Sequence, residues 1–199
     1  RVLIHSAAGG VGLAAVQIAA RAGASVTGLI GSESKAAVIR EHGARDHVTR
    51  EAWEAMSDAD APRFDTILDP SGGSSVKRSI ARLLPGGRVI CYGVGSIVEG
   101  DRRNLFKVAK GFLSTPLFTP FKFMMSNTGL YGLNLLKLIE AREPGKPSLL
   151  DRAFDDCVKG AAERKLKPVV GKTFALEEVG EAHRYLQSRA SIGKVVLIP

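Results

Sequence analysis

Cysteine is scarce. The 199-residue chain has only Cys91 and Cys157, far apart and without CxxC or Cys/His spacing. That excludes a disulfide framework and a structural zinc of the usual ligand spacing, and a reducing cytoplasm fits best. No run of about 18 or more uncharged apolar residues occurs, so nothing reads as a membrane span. The first residues lack a signal peptide's basic start and small-residue cleavage site. Aromatics make up only 6% of the chain and do not interleave with its basic residues. This argues against RNA or single-strand binding, so the net charge of +8 reads as solvated helix faces and a phosphate-bearing ligand, with no nucleic acid partner. His5, His42, His47 and His183 share no local spacing for a metal or a catalytic triad. Ser71-Gly72-Gly73 lacks the G-x-S-x-G of a nucleophile elbow. Asp65, Asp69 and Glu99 lie near strand ends, but nothing pairs them as acid and base, so no catalytic residue is assigned.

What the chain does have is alternation. With 45% hydrophobic residues, the length suffices for one large domain, or one domain and part of another. Strands are expected at residues 2–5, 25–30, 46–49, 64–68 and 87–92, and helices at 10–22, 33–42, 51–57 and 74–84. This order marks an α/β fold with a parallel sheet covered on both faces. Pro85-Gly86-Gly87 is the turn between the last helix and strand of that series. Residues 104–126, apolar and broken by Pro116 and Pro120, predict two short helices, and residues 129–133 a sixth strand. An amphipathic helix over 149–164 follows, then a strand over 168–174, a helix over 177–187 and a strand over 194–198.

The densest signal is HSAAGGVGLAAVQIAARAG, residues 5–23, a glycine-rich turn between a strand and a helix. At a parallel strand's carboxyl end, the next helix presents free N–H groups and a positive dipole end, where a pyrophosphate binds if no side chains intervene. Gly9 and Gly10 let the backbone approach the phosphates, and Gly12 lets the helix pack on the strand. Ala7 takes the first position of G-x-G-x-x-G, so the match is incomplete. About 20 residues on, where an acid would hold the ribose of NAD, stands Gly31, followed by Ser32 and Lys35. Glycine cannot repel a 2′-phosphate, while Ser32 offers a donor and Lys35 a charge, so NADP is expected. Ser32 can equally be a helix N-cap and Lys35 a solvated first-turn residue.

The stretches HSAAGGVGLAAVQIA, LDPSGG, LLPGGRVICYG and KPVVGKTFALEEVGEAHRYLQSRASIGKVVL resemble the medium-chain dehydrogenase/reductases, in particular the zinc-free quinone oxidoreductase branch. Residues 103–105, Arg-Asn-Leu, and the apolar segment after them add to this likeness, which covers nearly the whole chain. The resemblance implies a Rossmann fold with a doubly wound six-stranded parallel sheet over residues 1–165. Residues 166–199 would be a C-terminal segment that packs on a GroES-like domain absent from this chain. The abrupt start at Arg1-Val2-Leu3-Ile4 fits an N-terminal part upstream. By motif, Ala8, Gly9, Gly10 and Val11 face the pyrophosphate, Ser32 and Lys35 the 2′-phosphate, and Ser71, Gly93 and Val94 the nicotinamide side. Arg50 stands where many relatives have a tyrosine and offers a charged contact to the same phosphate, with a solvated loop arginine as the alternative.

The implied reaction is hydride transfer from NADPH to a quinone, enone or other conjugated carbonyl, without a metal. Tyr92 and Tyr131 are proton-donor candidates by position only, core packing being the alternative. Pairing of the sixth strand across a two-fold axis implies a homodimer. Two other readings fit the same residues: an enoyl reductase domain of a polyketide synthase, and a nucleotide-binding adaptor without turnover.

Overall fold

In β1 (Val2–His5), Leu3 and Ile4 point to opposite sides of the strand and both are fully buried. A strand buried on both faces needs a layer on each side. The computed structural model describes residues 1–93, 118–143 and 145–199, and supplies both layers. Leu13, Val16, Val26, Ile30 and Ile39 pack with Ile4 on one face, while Trp53, Phe64, Ile67, Ile80 and Val89 pack with Leu3 on the other.

The elements follow the alternating pattern. After β1 come α1 (Gly10–Arg21), β2 (Val26–Ile30), a 3-10 turn at Glu33–Lys35, α2 (Ala36–Glu41), β3 (Asp46–Thr49), α3 (Arg50–Ala55), β4 (Phe64–Asp69), α4 (Ser74–Ala81) and β5 (Leu83–Cys91). The chain continues with α5 (Pro120–Ser126), β6 (Gly129–Gly132), α6 (Leu135–Glu140), α7 (Leu149–Ala162), β7 (Val170–Ala175), α8 (Val179–Gln187) and β8 (Lys194–Ile198). The main sheet has the order β3-β2-β1-β4-β5-β6 with every pair parallel. This is the doubly wound Rossmann arrangement, with its switch point between β1 and β4, where a crevice opens at the strands' carboxyl ends. β7 and β8 form a separate two-stranded parallel sheet.

Three local expectations change. The helix expected over 33–42 is split, with its first turn wound as 3-10. The helix expected over 74–84 ends at Ala81, and Pro85-Gly86-Gly87 lies inside β5 rather than between elements. Leu83 pairs with Phe64 and Arg88 with Thr66, so the residues between Leu83 and Arg88 leave the ladder and return to it. Proline is tolerated in such an excursion because no ladder N–H is asked of it, and Gly86 takes φ +85°. α6 was not expected from the sequence. Asn134 caps it, its Oδ1 accepting from the Leu136 and Lys137 N–H groups, and Asn before an apolar run was the available signal. Of the two helices expected over 104–126, α5 is one; residues 94–117, which include 103–105 and Glu99, lie outside the described residues.

Candidate functional site

The turn from β1 into α1 is shaped by backbone contacts. Ser6 holds φ +53°, and its carbonyl accepts the Gly9 N–H at 2.9 Å. Gly9 is the N-cap of α1, and no side chain caps the helix, so its first-turn N–H groups face outward without an intrahelical partner. A Cβ on Gly12 would overlap the Ser6 carbonyl oxygen and lie 2.7 Å from the Ala7 backbone. Glycine there sets how closely α1 approaches β1. Gly10 is crowded from another side, since its Cβ would lie 2.7 Å from the stem of Lys194. Val11 is exposed.

Above this turn a cleft of about 790 Å³ runs along the carboxyl ends of β1, β2 and β4. Ala8, Gly9, Ser32, Lys35, Arg50 and Ser71 all line it, so six residues singled out in the sequence converge from the segments that follow four different strands. Gly10, Val11, Gly12 and Gly93 do not line it. Gly93 instead lies against Pro70, where a Cβ would sit 2.6 Å from the Pro70 carbonyl oxygen. Val94 falls outside the described residues. Gly31 also lines the cleft, with nothing within 4 Å of where its Cβ would be. The end of β2 thus offers open space at the position where a carboxylate would stand in an NAD site.

The three polar residues expected at the 2′-phosphate behave differently. Ser32 is the N-cap residue of the 3-10 turn, yet its hydroxyl bonds Ser34 Oγ at 2.9 Å instead of capping. Arg50 is the first residue of α3, not a loop arginine. Thr49 caps that helix by accepting the Ala52 N–H, which places Arg50 at the cleft. Lys35 is half-buried, and its ammonium donates to the carbonyls of Arg189 at 2.6 Å and Ser191 at 3.1 Å. Partial burial lowers its pKa.

Those carbonyls belong to a wall of the cleft that comes from the far end of the chain and carries no motif pointing to it. Leu186, Ser188, Arg189, Ala190 and Ser191 line it opposite Ser32 and Lys35. The segment continues to Gly193, whose N–H donates to the Ala8 carbonyl at 2.8 Å and which bridges in parallel to Gly9. The only available sequence hint was small, polar Ser188-Arg189-Ala190-Ser191 between a helix and a strand.

The LDPSGG stretch has a shaping role. Asp69, fully buried at the end of β4, accepts from the Ser71 N–H at 2.8 Å, Ser75 Oγ at 2.8 Å and Ser79 Oγ at 3.1 Å. These bonds fold the β4–α4 loop, where Gly72 and Gly73 take φ +73° and +56°, and they set Ser71 at the cleft. His5 lies beside this network, 3.4 Å from Ser79 Oγ and 3.9 Å from Asp69. Burial lowers its pKa against the opposing pull of Asp69, favouring the neutral ring. Tyr92 is half-buried, and burial raises its phenol to about 12; burial also raises the Cys91 thiol to about 11. Tyr131 is exposed on β6, and neither tyrosine lines the cleft.

The sequence profile of the zinc-binding dehydrogenases matches residues 38–197. The chain belongs to that family. It is 33% identical to the zebrafish (Danio rerio) synaptic vesicle membrane protein VAT-1 homolog over 98% of this chain and 40% of that protein. With an acryloyl-coenzyme A reductase of Sulfurisphaera tokodaii it shares 27% identity, over 100% of this chain and 50% of that enzyme. Among solved structures, the quinone oxidoreductase of Thermus thermophilus, determined also in complex with NADPH, superposes with a TM-score of 0.74 at 28% identity, covering 100% of this chain and 57% of that one. The chain thus spans about half the length of the curated relatives it matches.

A nicotinamide nucleotide fits these residues: the uncapped glycine turn, the open space at Gly31 and the Arg50 cation line one cleft. Among the described residues no group of three His, Cys, Asp or Glu is placed to hold a metal ion.

Proposed function

We propose that this chain is the cofactor-binding part of an NADPH-dependent oxidoreductase that delivers a hydride to a quinone, enone or other α,β-unsaturated carbonyl. The observation that carries the reading is the end of β2. Gly31 leaves the 2′ position free of a carboxylate, while Ser32 and Arg50 line the same cleft. A 2′-phosphate therefore meets no like charge there. Arg50 has no hydrogen-bond or ion-pair partner among the described residues, so its guanidinium is available to an anionic oxygen.

When bound, NADPH supplies the hydride. The chain's own residues bind and orient it: the N-terminus of α1 takes the pyrophosphate, and Ser71 flanks the nicotinamide end. Two relatives support the acceptor class, one named a quinone oxidoreductase and one a reductase of acryloyl-coenzyme A, itself a conjugated carbonyl. A GroES-like domain of the same full-length protein would supply the facing wall of the site, with residues 166–199 packing against it.

Fluorescence titration with NADPH and NADH tests the cofactor assignment. NADPH should bind at least about tenfold more tightly, the effect of one charged contact worth roughly 1.5–3 kcal/mol. Gly31→Asp should remove most of that preference, and so should Arg50→Gln. Equal affinities in the unaltered chain would defeat the assignment.

A further inference from the structure

Lys35 has the residue type and position of a phosphate ligand, yet two of its ammonium's three donors already hold backbone carbonyls. It reaches across the cleft to two carbonyls of residues 189–193, the segment that joins α8 to β8. That segment is held at its other end too. Gly193 donates to Ala8 and bridges to Gly9, while the Lys194 N–H donates to the Val169 carbonyl at 2.7 Å. Residues 189–193 therefore form a strap over the cleft, tied to the first turn after β2 at one end and to the glycine turn at the other.

The strap's backbone shows why it needs these ties. Arg189 and Gly193 both take positive φ, +59° and +62°. At Gly193 a Cβ would collide with the Val169 carbonyl, so only glycine fits. At Arg189, a non-glycine residue in the left-handed region is held against a backbone cost. A charged donor shared by the Arg189 and Ser191 carbonyls offsets that cost.

We infer that Lys35 is a positioning residue for this strap, holding the wall that covers the nucleotide rather than reading the 2′-phosphate, and that Arg50 supplies the charge discrimination. The inference rests on the dinucleotide reading of the cleft. It separates two effects that a direct Lys35–phosphate contact would merge. Loss of the strap's anchor weakens every nucleotide that lies beneath it, with or without the extra phosphate.

The test uses Lys35→Met, which keeps the apolar stem and removes the donors, and Lys35→Arg, which restores donors. NADPH and NADH are titrated into each, and tryptic cleavage after the exposed Arg189 is timed by mass spectrometry. Lys35→Met should weaken both nucleotides by the same factor, about five- to tenfold for a lost charged donor, leaving their affinity ratio within about twofold of the parent value. Cleavage after Arg189 should accelerate, and Lys35→Arg should reverse both changes.

Gly193→Ala probes the other tie, with the same proportional loss expected. A collapse of the NADPH/NADH ratio in Lys35→Met with unchanged cleavage would overturn the inference and return Lys35 to the phosphate. If the unaltered chain binds neither nucleotide, the dinucleotide reading falls; the strap is then judged on cleavage, and an unchanged rate in Lys35→Met overturns it.

Discussion

Gly9 and Gly12, three residues apart in one turn, do different work, and substitution separates them. At Gly9 the φ of −77° suits any residue, and an added Cβ would meet only the Ser6 carbonyl oxygen at 3.3 Å. The branches of a valine would project where the pyrophosphate approaches. Gly9→Val should therefore abolish nucleotide binding while its thermal midpoint stays close to the parent's. At Gly12 the obstruction is backbone, which cannot move aside without parting α1 from β1. Gly12→Ala should cost about 1–3 kcal/mol of stability from overpacking, read as a drop of several degrees in the midpoint. If calorimetry finds Gly9→Val the less stable of the two, or if it still binds NADPH normally, the division of labour is wrong. This much of the site was legible in the sequence, because a glycine's function at a tight turn depends on neighbours a few positions away.

Among elements, the junction of α3 with α4 depends on Arg82, which is fully buried. Its guanidinium lies 3.8 Å from the centre of the Trp53 ring and donates to the carbonyls of Trp53 at 3.0 Å and Met56 at 2.7 Å. Nε reaches the Asp58 carboxylate at 3.2 Å. One side chain thus satisfies the carbonyl end of α3 and packs on the tryptophan beneath it. Since α3 carries Arg50 at its first position, this junction also sets one wall of the cleft. Arg82→Ala strands two carbonyls and a ring face, and should cost about 2–4 kcal/mol. Urea denaturation measures the loss; a change below about 1 kcal/mol would show that water replaces the guanidinium at no cost. Nothing in the sequence distinguished Arg82 from a solvated arginine at a helix end. Its burial follows from packing between elements far apart in the chain.

For the whole molecule, the outer strand β6 leaves Leu130 and Tyr131 exposed, and the flanking α5 and α6 expose Phe121, Met124, Leu136 and Ile139. An apolar edge of this kind pairs with another edge when one is available, and a second copy across a two-fold axis presents a matching one. Sedimentation at tens of micromolar should find a dimer, and a strictly monomeric species there would refute the pairing. Turnover is a separate matter. On the proposed function a facing domain outside these residues orients the acceptor and keeps water from the cofactor, and without it the proximity contribution falls. These 199 residues should bind NADPH yet oxidise it with a quinone far more slowly than an intact reductase. Comparable rates would place the complete site within this chain. Among the described residues no helix is long and apolar enough to cross a membrane.

Short-range sterics and periodicity control what residue order alone makes legible. The alternation of strands and helices, the glycine turn into α1, and the missing carboxylate at Gly31 all depend on residues within a turn or two of one another. The tertiary structure decided where the charges point. Lys35 meets its carbonyl partners 154 and 156 positions away, and Gly193 closes on Ala8 from the opposite end of the chain. Thr49 turns Arg50 from an apparent loop residue into the first residue of a helix facing the cleft. A long cation has many reachable partners, and which of them it takes is set by the distant backbone that folding brings beside it.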